Sequence, residues 1–358
     1  MWRISRPRVR RWLLVYLLAL GLVAGPAYTM YVHYDFSHSL DTRSYLKIAR
    51  GEFAGVSITR RYRVLVPLAA AAVAWPLEQV YARLWPQRAA SEWPLRLGFY
   101  LVNCLLLAGV GLVLYQTSCL YGATPAAAAL GVVAVLTSRW AVYTAGLPLV
   151  DSLYLFVFAL GFYAARSGSA AALVACILLG PHAKESFVFL APWLLFWGQR
   201  AVGWRAQLGW MVVSAALAWG VRSWIDARVG ATPAESVHNA ISHMENLAYS
   251  LRRLFSVKGA GEIFSIFGFF SLALLAGLQG KAADRQRWVR PLGWPVVTLA
   301  GVVAVHMLLS GDLARMGYLL APAFAVAFAL ILTHHPLFAW LSPGNAPSEE
   351  EPGAPVHL

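Results

Sequence analysis

The chain has 358 residues, 59% of them hydrophobic and only 13% charged, and its mean hydropathy is +0.60. Apolar runs of spanning length recur along it, which puts the chain in a bilayer and excludes a soluble domain. The net charge of +13, from 29 Lys and Arg against 16 Asp and Glu, then reflects topology and anionic lipid, and nucleic-acid binding drops out.

The opening MWRISRPRVRR sets Arg3, Arg6, Arg8, Arg10 and Arg11 before an apolar run at 12–32. The positive-inside rule holds this end in the cytoplasm. The run is longer than the apolar core of a secretory signal, and the small-residue site falls on Pro26, so it reads as a first span. The stretch YDFSHSLDTRSYLKIARGE (34–52) therefore emerges on the outer face. In it Asp41 stands where an N-cap would precede TRSYLKIAR, and Gly51 stands where a C-cap belongs, so a short helix is expected. On that helix Arg43, Lys47 and Arg50 share one face, while Tyr45, Ile48 and Ala49 turn toward the membrane.

Residues 64–84, VLVPLAAAAVAWPLEQVYARL, form the ambiguous segment. If it crossed, the basic loops around Arg200 and Arg205, and around Lys281, Arg285, Arg287 and Arg290, would both face outward against the charge rule. Laid in the outer interface, as Pro67, Pro76 and Glu78 allow, it leaves both loops cytoplasmic. Further spans read at 97–119, 125–142, 150–165, 170–179, 187–197, 208–221, 263–278, 292–309 and 318–333, several of them short and tilted or locally thinned. The expected fold is an all-α polytopic membrane protein with about ten transmembrane helices and one interfacial helix in the first outer loop. Its membrane domain covers 1–340, with outer loops at 33–96 and 222–262. The Pro-rich tail 341–358 reads as disordered and cytoplasmic. Cys104, Cys119 and Cys176 sit in apolar segments and read as packing residues.

This topology collects Asp35, Asp41, Arg60, Arg61, Arg63, Asp151, Lys184, Glu185, Asp312 and Arg315 on the outer side. Charges at membrane depth are costly and tend to pair around a cavity, which makes their convergence a candidate site. In the first loop six bases, Arg43, Lys47, Arg50, Arg60, Arg61 and Arg63, face three acids, Asp35, Asp41 and Glu52. Arg forks suit a lipid phosphate, and lipid headgroups at large would serve them equally. Carboxylates among the bases suggest more than anion binding: one could take a proton from an acceptor hydroxyl while cations hold the leaving phosphate.

The pieces LDTRSYLKIARGE, RRYRVLVPLAA, LPLVDSLYLF, PHAKESFVFLAP and SGDLARMGYLLAP follow a layout of one span, an acid-bearing outer loop and an interfacial segment before the next span. In this the chain resembles the GT-C superfamily of polytopic glycosyltransferases that use polyprenyl-phosphate sugars, and looks closest to its bacterial branch associated with surface glycopolysaccharide. The resemblance implies an enzyme of the bacterial inner membrane with both termini cytoplasmic and the active site outside. It would move a sugar from a polyprenyl phosphate or pyrophosphate carrier to a glycan, lipid or protein acceptor. It gives the catalytic base role to Asp41, with Asp35 second, and substrate binding to Tyr45, Arg60, Arg61, Arg63, Asp151, Lys184, Glu185, Asp312 and Arg315. Many members carry two adjacent acids in the first loop, whereas Asp35 and Asp41 are six apart, so the base and any metal requirement stay open. No cofactor is assigned: a divalent metal is compatible with the chemistry, but no clear motif supports one. His238, His243 and Glu245 do not supply one, because the two histidines, five apart, do not share a helix face. The non-enzyme alternative is a transporter or flippase of lipid-linked sugars, which would place charges near mid-membrane. Membrane O-acyl transfer would need a catalytic His such as His33, His38 or His306.

Overall fold

A computed structural model describes residues 6–36, 38–230, 233–279 and 282–341; the side chains of 6–8, 233–243 and 283–284 fall outside the description. The polar tail from 342 onward, Arg3 and Lys281 therefore lie outside the described residues, as do the side chains of His238 and His243.

Every regular element described is helical. In chain order they are α1 (Arg6–His33), α2 (Leu40–Ala49), α3 (Ile58–Arg61), α4 (Leu65–Leu84), α5 (Pro86–Ala89), α6 (Trp93–Leu120), α7 (Pro125–Leu136), α8 (Arg139–Gly146), α9 (Asp151–Ser167) and α10 (Ala170–Ala183). A 3-10 turn, Glu185–Phe189, leads into α11 (Ala191–Trp197), α12 (Trp204–Val229), α13 (Pro233–Leu254), α14 (Val257–Phe264) and α15 (Ser271–Gly277). Then come α16 (Ala282–Ser310), α17 (Leu313–Gly317), α18 (Ala321–His334) and a 3-10 turn at Pro336–Leu341. The loop expected at 222–262 is thus largely helical, because α12 runs on to Val229 before the left-handed Gly230 (φ +67) ends it.

The protein is an all-α polytopic membrane protein. Among the described residues six helices are long and apolar enough to cross a membrane, or up to eight if two bent pairs each make one crossing. Five of the six match expected spans: Val9–His33, Trp93–Leu120, Trp204–Val229, Arg285–Ser310 and Leu313–His334. The bent pairs, Pro125–Leu136 with Arg139–Gly146 and Val257–Phe264 with Gly268–Gly277, match two more. The segments expected at 150–165, 170–179 and 187–197 form α9, α10 and α11, of 17, 14 and 7 residues, shorter than the roughly 20 residues that a straight crossing needs. Two of the three are wrapped by other helices. Tyr154, Phe158 and Phe162 of α9 and Cys176 and Ile177 of α10 are buried in the centre of the bundle, so these apolar runs face protein as much as lipid.

The sixth long helix is α4, the segment 64–84 that the charge argument lays in the interface; by length and composition it too could cross. Residues flanking it on both sides nevertheless reach α1 and α2. Ahead of it, Arg63 bonds to Tyr45 of α2. Behind it, Glu92 lies 3.5 Å from Arg50 at the C-terminus of α2, and Arg96 donates to the Tyr31 carbonyl, 2.6 Å away in the last turns of α1. Between these ends α4 presses on α6 through small residues: a Cβ on Gly98 would collide with the Ala70 carbonyl oxygen.

Candidate functional site

The site grows from α2. Its N-cap is Ser39, whose hydroxyl accepts from the Thr42 amide at 3.4 Å. Asp41, expected at the cap position, instead lies in the first helical turn, where its carboxylate is not spent on capping and points outward from the helix. The helix ends as expected, with Gly51 left-handed at φ +77. Tyr45, Leu46 and Ile48 are buried, while Arg43, Lys47 and Arg50 are exposed. The cationic face is the one read from spacing, but the apolar face, expected toward the membrane, is buried against the protein, with the Tyr45 hydroxyl on Arg63.

Asp41 is held on both oxygens. Arg60, from α3, donates its Nε to Oδ1, and Arg315, from α17, donates Nη1 to Oδ2 at 2.6 Å. The second fork nitrogen of Arg315 reaches Asp151 Oδ2 at 2.5 Å, on the first residue of α9. Lys184 Nζ stands 4.0 Å from the other oxygen of Asp151 and 3.1 Å from the Met316 sulfur. Beside this chain Arg63 binds Glu185 in bidentate fashion at 2.9 and 3.3 Å and donates to the Tyr45 hydroxyl at 3.0 Å. The turn carrying Lys184 and Glu185 folds tightly back on α10, because the Phe187 ring occupies the space that a side chain at Gly180 would need.

Four cations, Arg60, Arg63, Lys184 and Arg315, therefore meet three carboxylates, Asp41, Asp151 and Glu185, with the Asp312 carboxyl a fourth acid beside Arg315. Most of these side chains are largely buried, Asp151 and Lys184 being only 12% exposed. Ion pairs taken out of water seldom repay their desolvation as stability alone. Burial would raise the Asp41 carboxyl, but the Arg315 and Arg60 guanidiniums outweigh it and hold the group well below the usual carboxylate range. At Glu185 burial again pushes upward and Arg63 again prevails. Burial brings the Lys184 ammonium down to about 8 in spite of Asp151. As the structure stands, Asp41 is ionised and a weak proton acceptor.

The other residues singled out in the sequence divide clearly. Asp312 caps α17, accepting from the Arg315 amide at 3.1 Å, and burial raises its carboxyl. Arg61, between Arg60 and Arg63, is 3% exposed and donates to the Val56 carbonyl at 3.0 Å, with Asp226 4.0 Å away, so it braces the loop. Asp35 sits on the exposed segment between α1 and α2.

A cavity of about 310 Å³ opens beside the cluster. Arg63, Lys184, Glu185 and Ser186 form its polar wall, and Val188, Phe189, Leu309 and Met316 its apolar one. His306 lines it too: its Nδ1 faces the Val302 carbonyl at 2.8 Å and its Nε2 lies 2.6 Å from the Tyr154 hydroxyl, to which Ser186 donates. Sequence reasoning does not single out Tyr154, although it stands one turn after Asp151 on the same helix face. Among the described residues no group of three or more His, Cys, Asp or Glu is arranged to hold a metal ion. Comparison with family models, with curated proteins and with solved structures gives no match for this chain.

Proposed function

We propose that the protein is a membrane glycosyltransferase, moving a sugar from a polyprenyl-phosphate or pyrophosphate carrier to an acceptor in cell-surface glycan formation. In this reading it is GT-C-like and sits in the bacterial inner membrane. About ten segments traverse the bilayer, α4 lies along the outer interface, both termini are cytoplasmic and the charged cluster is external. The observation that carries the reading is a carboxylate, Asp41, gripped by Arg60 and Arg315 within a cluster of four cations that adjoins a mostly apolar cavity. A lipid phosphate matches that combination, its charge meeting Arg63 and Lys184 and its chain meeting Val188, Phe189 and Leu309.

The chemistry follows from competition for the guanidiniums. A donor phosphate offers Arg60 and Arg315 oxygens of its own, and each hydrogen bond moved from Asp41 to phosphate makes the carboxylate a better base. The Nε of Arg315 is buried without a hydrogen-bond partner among the described residues, so this guanidinium has a donor to spare. Asp41 then takes the proton of the acceptor hydroxyl as that oxygen bonds to the anomeric carbon. The bond from that carbon to the phosphate oxygen breaks, and the carrier phosphate leaves with the electron pair, its charge held by the cations.

The test is transfer by purified protein in nanodiscs supplied with polyprenyl-phosphate sugars and a lipid extract as acceptor source. Release of carrier phosphate coupled to a new glycoside supports the reading. Movement of the lipid-linked sugar between leaflets without bond cleavage would replace it with a flippase.

A further inference from the structure

Glu185 stands in the walls of three cavities, and the two not yet described lie on the opposite face of the turn that carries it. One, of about 330 Å³, is lined about equally by polar and apolar surface, with Tyr62, Arg222, Ser223 and Asp226 gathered around it beside Glu185. The other, of about 340 Å³, is apolar, walled by Pro181, Val188, Met211, Ala215 and Ala218. They share Glu185, Trp219 and Arg222, so they form one amphipathic recess against α12, more polar at one end and greasy at the other. Val188 and Glu185 separate this recess from the cavity beside Lys184.

We infer that this recess holds a second amphiphile, a lipid whose head carries hydroxyl groups, and that this is the acceptor. The inference rests on the transfer reading in one respect: an acceptor must bring a hydroxyl to the site. The head chemistry comes from the walls. Glu185 and Asp226 are acceptor-only when ionised, so they call for donors, which sugar hydroxyls supply and phosphate oxygens do not. Asp226 already takes the Tyr62 hydroxyl at 2.7 Å, and the Arg222 guanidinium lies over the Tyr62 ring at 4.9 Å. Carboxylate, guanidinium, phenol and the Trp219 indole together provide the hydrogen bonds and flat apolar faces that a saccharide uses. The tail chemistry comes from the second half, whose small residues Ala215 and Ala218 leave the groove open along α12. Two lipids could then approach Glu185 from opposite sides, the carrier from the Lys184 side and the acceptor from the α12 side.

The experiment places the full-length protein in phosphatidylcholine nanodiscs with a photoreactive monoglycosyl diacylglycerol, its diazirine in the acyl chain, and maps the cross-links by mass spectrometry. Labelling should be saturable, concentrate on peptides holding Met211 to Ala218, and be competed by unlabelled glycolipid but not by phosphatidylethanolamine. Ala218→Trp, which fills the groove, should lower it about tenfold, equivalent to about 1.4 kcal/mol. The competition arms use the unaltered protein and so decide the matter if that variant fails to fold. Labelling equal to that on the exposed face of α1 around Leu13 and Leu17 would mean bulk lipid only and overturn the inference, as would equal competition by phosphatidylethanolamine. Because binding is read without turnover, saturable labelling in a protein that never transfers sugar would sink the transferase reading and leave the recess standing. Transfer confined to water-soluble acceptors, without labelling, would sink the recess alone.

Discussion

Arg315 Nη1 and Asp41 Oδ2 lie 2.6 Å apart although 274 residues separate them, and the same guanidinium spans to Asp151. One planar fork thus ties the first loop, α9 and α17 together. A lysine there would keep the charge but offer one nitrogen in place of the two that reach Asp41 and Asp151. Arg315→Lys should therefore lower thermal stability and weaken polyprenyl-phosphate binding together, by about tenfold or more in Kd. Unchanged binding in a folded Arg315→Lys protein would remove the fork from the site.

Asp41→Asn leaves the α2 cap intact, since Ser39 provides it, but it removes the negative charge and leaves one acceptor oxygen for two guanidiniums. Transfer should fall by about 10² or more, the usual scale for losing a general base. The melting temperature should fall as well, because Arg315 and Arg60 are left under-paired in a largely buried setting. Asp35→Asn, on the exposed segment, should cost less transfer than Asp41→Asn. Activity measured at matched folded fraction separates the two effects, and full activity in Asp41→Asn would clear it of the base role.

The three first-loop arginines should respond differently to lysine substitution. Arg60→Lys and Arg63→Lys should weaken donor use, because one grips Asp41 and the other lines the cavity. Arg61→Lys should act on stability alone, since its Nε bonds the Val56 carbonyl. Donor titrations alongside melting curves check this pattern; equal donor defects in all three would favour general attachment to headgroups.

Lys184 provides a pH signature. It is protonated below about 8 and loses its proton as the pH rises through that value. A bound phosphate favours the charged form, so affinity is full below about pH 8 and declines as the pH rises above it. Lys184→Arg should flatten that decline. An identical pH profile in the variant would assign the titration to another group.

Topology is tested by cysteine labelling. Positions near Ala90 and Asp151 should react from the outer side and those near Arg205 and Arg287 from the cytoplasm, following the charge rule. Reaction of position 90 only from the cytoplasm would make α4 a crossing helix. Gly98→Val adds a separate check on how α4 is seated, since its Cβ would collide with backbone at Ala70 and overpacking costs about 1–3 kcal/mol or more.

Local chemistry in the sequence was enough for the membrane class, the positions of most helices, the amphipathic α2 with its glycine stop, and the surplus of bases in the first loop. Those features depend on apolar run length, 3.6-residue spacing and side-chain type, all readable within a few turns. It could not separate Arg60, Arg61 and Arg63, because one short helix and its exit send neighbouring guanidiniums to Asp41, Val56 and Glu185. Nor could it show that Asp312 caps a helix while Asp151 joins the cluster, or that α9 and α10 are packed inside the bundle. An apolar run looks the same whether it meets lipid or protein, and a carboxylate looks the same whether its partner is 3 residues away or 274. Only the packing of α2, α9, α17 and the 184–189 turn at one end of the bundle decides which charges neutralise one another and which remain to meet a substrate.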